Sequence, residues 1–142
     1  DLLHVVHRKV KVDQKPNRAG LFIGVSAPGI QPNSDGITHH DSSSYGMWSD
    51  GQVRAAGQII GYHHELPASS IIQADLFNQH DGLDKLFRAG DEVVAVLDCT
   101  AHTLRLQSPT VQHEIPIQQQ HHQQQWVLNV NFDWGEHQVS LM

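Results

Sequence analysis

Along most of this chain apolar and polar residues alternate with a period of two, in short runs separated by Gly, Pro, Asp and Asn. That is the pattern of half-buried strands, and an all-β fold is expected. Val6, Arg8, Val10 and Val12 share one parity and His7, Lys9 and Lys11 the other, so residues 5–12 predict a strand with one wet face. Lys15 to Gly20 reads as a turn. Leu21-Phe22-Ile23-Gly24-Val25-Ser26 is too apolar to face water on either side and suits a central strand, ending at Pro28-Gly29. From there to Ser44 the chain has almost nothing to bury, which predicts a long surface loop of the kind that carries function.

Tyr45 to Ser49, then Asp50-Gly51, then Gln52 to Ala56 is the strongest local signal, because Asp-Gly supplies the positive φ of a tight hairpin turn. Residues 59–87 are ambiguous: Gly61 and Pro67 break any long element, and an irregular crossing is expected. A second apolar strand opens at Gly90-Asp91 and runs to Asp98, and Thr103 to Gln107 alternates after it as the other arm of a second hairpin. Val111 to Ile117, Trp126 to Phe132 and Gln138 to Leu141 complete the set. The polar tract from Gln118 to Gln125 cannot contribute to a core and reads as a mobile hairpin loop, so deleting residues 121–124 is expected to cost roughly one kcal/mol or less. No fixed-period repeat or composition shift divides the chain, so residues 1–142 are expected to form one domain.

Composition narrows the function classes. The net charge of −6 works against nucleic acid, whose binding draws on clustered Lys and Arg. Five of the nine basic residues fall in the first eighteen positions, where they fit the wet face of a strand; the remainder is more acidic, which favours a basic ligand or peptide. The one cysteine, Cys99, excludes an internal disulfide and lies in an apolar run, as a buried thiol would. No stretch approaches the ~20 apolar residues of a membrane helix, residues 1–4 are not a signal sequence, and no Asn-x-Ser/Thr acceptor occurs, so a soluble cytoplasmic chain is expected.

Twelve histidines raise the question of a metal. His39-His40, His63-His64 and His121-His122 are adjacent, which on a strand sends the two rings to opposite faces, and no His-Glu-x-x-His or Cys pair is present. Solvated loop histidines, no structural metal and no cofactor are expected, the residual option being a fortuitous zinc site at His39, His40 and Asp41. Gly24-Val25-Ser26-Ala27-Pro28 lacks the second glycine of a nucleophile elbow, so Ser26 should merely end a strand and no catalysis is expected. Trp48, in an alternating hairpin, should pack on the sheet. Trp134, placed in a loop, must either pack or bind.

Several pieces, in order and spacing, resemble the SPRY family: Val10-Lys11-Val12 and Gly20 to Ser26; Tyr45-Gly46-Met47-Trp48-Ser49-Asp50-Gly51; Gly90-Asp91 through Asp98; Thr103 to Leu106; and Trp126 to Val130 with Val139 to Leu141. The resemblance runs from about residue 6 to the end. It implies a concanavalin-like sandwich of two twisted antiparallel sheets, ligand contact by loops at one end, and use as the target-recognition part of ubiquitin ligases and scaffolds. The family's first strands are either missing or lie before residue 1, and the Gln/His tract is longer than the family turn. In SPRY proteins that carry a SOCS box a Trp-Gly pair in the last loop binds peptide, and Asp133-Trp134-Gly135-Glu136 stands at the matching position. The tyrosine those members use before the first hairpin has no counterpart in Pro32 to Ile37, so their specificity for Asn-rich peptides does not carry over.

The expected function is a non-enzymatic, monomeric module that recognises a short peptide or loop of a partner protein. The alternative is a lectin-like or small-ligand sandwich using Asn131, Asp133 and Trp134. Tyr45, Tyr62, His63, Asp133, Trp134 and Gly135 are the expected peptide-binding residues, within a surface made by 28–44, 61–65 and 133–136. Trp134→Ala should lower partner affinity by on the order of 2 kcal/mol with an unchanged melting temperature. A large fall in melting temperature instead would make Trp134 a core residue.

Overall fold

A computed structural model describes residues 5–14, 20–30, 38–63, 86–132 and 138–141. Ten strands run in chain order: β1 (Val5–Gln14), β2 (Leu21–Ser26), β3 (Tyr45–Trp48), β4 (Gln52–Ala55), β5 (Gln58–Tyr62), β6 (Glu92–Asp98), β7 (Thr103–Gln107), β8 (Gln112–Pro116), β9 (Val127–Phe132) and β10 (Gln138–Leu141). They form two antiparallel five-stranded sheets, β10-β1-β6-β7-β8 and β5-β4-β3-β2-β9. The all-β class expected from the alternation and the two-sheet sandwich implied by the resemblance are both observed.

Alternation explains the layers. Val12, Val93, Ala95, Leu97, Leu104, Leu106 and Ile115 point inward from the first sheet and meet Leu21, Ile23, Val25, Tyr45, Met47, Val53 and Ala55 from the second. Fully burying one such aliphatic side chain contributes about 1.5–3 kcal/mol. β2 is buried at every position, as its unbroken apolar run predicts: it lies between β3 and β9, and Phe22, fully buried, faces away from the core. The Asp50-Gly51 turn forms as expected, with Gly51 at φ 98°, its N–H donating to the Trp48 carbonyl at 2.9 Å and Asp50 Oδ1 accepting from Gln52 N–H at 2.8 Å.

The structure corrects four expectations. The tract at 118–125 is not a hairpin loop, because β8 and β9 belong to different sheets and it carries the chain between them. It also packs on the body: Tyr45 Oη lies 2.6 Å from His121 Nδ1 and accepts from Gln118 N–H at 3.0 Å. His122 stacks on His102 at 3.5 Å, while Gln124 Nε2 donates to the Ser43 carbonyl at 3.4 Å. Second, the crossing expected over 59–87 begins with a regular strand, β5, and ends with Leu86 and Phe87 buried in the core; residues 64–85 lie outside the described residues. β5 is bulged, because Val53 pairs with Gly61 and Arg54 with Ile59, leaving Ile60 without an opposite residue. Third, the segment before β3 is not all surface, since His39, Ser43 and Ser44 are buried. Fourth, Cys99, expected as a buried thiol, is half-buried at the turn after β6, packed against the core.

β2 and β3 approach closely at the pair Gly24 and Gly46. A Cβ on Gly24 would lie 2.7 Å from Gly46 Cα and also collide with the Tyr45 carbonyl oxygen, both rigid backbone atoms. Gly24→Ala should therefore destabilise the fold by about 2 kcal/mol or more in urea denaturation, and a change below roughly half a kcal/mol would mean that the sheets open here without strain. Deleting residues 121–124 removes the Tyr45, His102 and Ser43 contacts together and should lower stability by about 2 kcal/mol. Unchanged stability would restore the tract as a passive loop.

Candidate functional site

The outer face of the second sheet is built by the strand positions that point away from the core. Register aligns them in two rows. Asn131 pairs with Phe22 and Phe22 with Trp48; the Met47–Val53 pairing carries Trp48 on to Gln52, and Gln52 pairs with Tyr62. Beside this row runs Asn129, Gly24, Gly46, Arg54 and Ile59.

One half of this face is covered by the chain itself. The segment leaving β2 returns over it, and Thr38 seals the β9 side: its N–H donates to Asn131 Oδ1 at 2.7 Å and its hydroxyl to Asn129 Oδ1 at 2.8 Å. Asn131 Nδ2 donates to Asn129 Oδ1 at 2.6 Å. Asp41 organises the return, its Oδ2 accepting from the Ser43 backbone at 3.0 Å and hydroxyl at 2.7 Å, so that the backbone at His40 and Asp41 lies against Gly57. Asn129 and Asn131 are thereby buried and satisfied. That removes Asn131 from the open sugar-type site of the alternative reading.

His39 closes the middle. Its ring stands edge-on to Trp48 with centroids 4.8 Å apart and lies 5.7 Å from Phe22. It is only 9% exposed, and among the described residues its Nδ1 has no hydrogen-bond partner. Burial, then the neighbouring Arg54 charge and then His40, lower its pKa from 6.5 to about 4, so the ring is neutral at pH 7.

The other half of the face stays open. Arg54 is tethered there, its Nε donating to Gln52 Oε1 at 2.9 Å and its Nη1 to the Gly57 carbonyl at 2.8 Å. Burial lowers the Arg54 pKa against the opposing influence of Tyr62, and a guanidinium stays charged regardless. Ile59 and Tyr62 flank it at 50% and 57% exposure. A planar cation with two hydrogen bonds fixing it, set between an aliphatic and an aromatic side chain, can bind a carboxylate and an apolar side chain together.

Of the expected binding residues, Tyr45, Tyr62 and His63 are among the described residues, and Tyr45 does not share a surface with the other two. Tyr62 is on the open face, and His63 follows it, half-buried, with its Nδ1 2.8 Å from that of His113. Tyr45 is a correction: it is fully buried in the core, because the first residue of β3 points inward, opposite Val25 at the far end of the strand from Trp48. Asp133, Trp134 and Gly135 lie outside the described residues. The chain leaves β9 at Phe132, an edge of the sheet separated from β5 by four inter-strand steps, about 19 Å. Ser26 ends β2 as expected, buried, its hydroxyl donating to the Ala27 carbonyl at 3.2 Å. Sequence reasoning missed Arg54, Ile59 and the His39 cover. Arg54 and Gln52 were legible as the wet parity of the first hairpin, whereas the bulge that orients Ile59 had no signal.

No family model matches the chain, and no curated protein matches it. Among solved structures it is similar to the SPRY domain of human HERC1, with a TM-score of 0.61 at 14% identity, covering 97% of this chain and 74% of that one. The fold is therefore SPRY-like.

His39 gives this face a pH signature. The folded pKa lies below the unfolded value, so unfolded chains bind more protons between about pH 6.5 and 4, and stability falls as pH drops through that window. A loss on the order of 2 kcal/mol between pH 7 and pH 4 is expected from this ring. His39→Phe, which keeps an aromatic against Phe22 and Trp48 without a titrating group, should flatten that part of the pH–stability curve. Identical curves for the two proteins would show that His39 titrates freely.

Proposed function

We propose that this chain is a non-enzymatic protein-interaction module that holds a short peptide or loop of a partner against the open half of the second sheet's outer face. The carrying observation is Arg54, held by two hydrogen bonds beside exposed Ile59 and Tyr62. Arg54 is the charged side chain of the two rows, so the segment it suits pairs an acidic residue with an apolar one. This inverts locally the preference for a basic ligand that the net charge of −6 suggests. The SPRY-like fold supports a binding role. On this reading the domain serves as the target-recognition part of a larger ubiquitin ligase or scaffold.

The test begins with a partner captured by this domain and identified by mass spectrometry, whose binding segment is then made as a peptide. Tyr62→Ala and Ile59→Ala should each weaken that peptide about tenfold or more, about 1.4 kcal/mol, while melting temperatures move by only a degree or two. Wild-type affinity in both variants would place the site elsewhere.

A further inference from the structure

One pair of histidines lies next to the open face yet plays no part in it. His63, the residue after β5, belongs to the edge of the second sheet, and His113 lies in β8 at the edge of the first. His113 pairs with Leu106, a core residue, so its side chain is on the inner side of its sheet, toward the other layer. There the two Nδ1 atoms are 2.8 Å apart, with ring centroids at 4.9 Å and planes at 88°. Two imidazoles meet nitrogen to nitrogen at this distance only when one N–H donates to the lone pair of the other, so at least one Nδ1 is unprotonated.

We propose that His63 and His113 form a two-imidazole site for a divalent copper ion, bridging the two sheets at the β5 and β8 edges. Metal–imidazole bonds of about 2.0–2.1 Å meeting at a right angle set the two nitrogens about 2.9 Å apart, whereas the tetrahedral angle preferred by zinc needs about 3.3–3.4 Å. The 2.8 Å of the hydrogen bond is short of either separation, so the rings must shift on binding, least for the right angle; tetragonal nitrogen and oxygen coordination is the preference of Cu(II), which also heads the affinity order of the divalent first-row ions. Binding needs no redox step. The proton on the donating Nδ1 moves to Nε2 of the same ring, both rings turn their Nδ1 lone pairs onto the ion, and two coordinated waters leave. Among the described residues no group of three metal-ligating side chains forms, so the site is proposed on these two imidazoles alone. The adjacent-histidine spacing gave no hint of this pair, because its members are 50 residues apart.

The test uses protein without a polyhistidine tag, titrated with Cu(II) and followed by calorimetry, electron paramagnetic resonance and thermal melting. One equivalent should bind with a tetragonal spectrum showing nitrogen couplings, and the melting temperature should rise with copper. His113→Gln and His63→Gln should each weaken that equivalent at least tenfold and abolish the rise. His122→Gln, which removes the other close histidine pair, should leave both intact. Wild-type copper affinity in His63→Gln would overturn the site, as would copper binding that is lost with His122 instead.

Discussion

The double burial of β2 is the constraint on which the rest of the molecule depends. Leu21, Ile23 and Val25 must meet the first sheet, and Phe22, Gly24 and Ser26 must be covered on the other side. A strand with both faces apolar cannot sit at an edge, so β3 and β9 flank it, and the chain between β2 and β3 has to double back as a lid. Thr38, His39 and Asp41 place that lid, and the glycines at 24, 46 and 57 give it and the neighbouring strands room. What remains uncovered, the β4–β5 side, is where a ligand can reach the sheet.

Most of the architecture was legible because strand alternation reports a physical requirement local to each strand. Val10 and Val12, Leu104 and Leu106, and the unbroken run of β2 all declare their faces without reference to partners. Legibility failed where burial is decided by distant residues. Asn129 and Asn131 read as a wet face, since nothing in Val127 to Phe132 shows that Thr38 will cap them. The Gln/His tract read as solvated, since its anchors, Tyr45, His102 and Ser43, lie elsewhere in the chain. In both cases polar side chains are buried by hydrogen bonding rather than by apolarity, and hydropathy patterns do not see that.

The candidate site shows the same division. Tyr62 is exposed on the outer face, whereas Tyr45, expected in the same surface, shares the parity of Met47 that assigns it to the core. The meeting of His63 with His113 depends on how two sheet edges face each other, a relation that no spacing rule along one chain contains.

The unpaired Ile60 in β5 carries a consequence of a different kind. A sheet whose last strand offers a regular ladder of free N–H and C=O groups is a template for another strand, and chains of this type are at risk of stacking into ribbons. The extra residue breaks the spacing of that ladder between Ile59 and Gly61, so an incoming strand would find its hydrogen bonds in register over only part of its length. The same irregularity that turns Ile59 beside Arg54 thus works as a guard against edge-to-edge self-assembly, and it leaves association to side chains, which discriminate between partners, rather than to backbone, which does not.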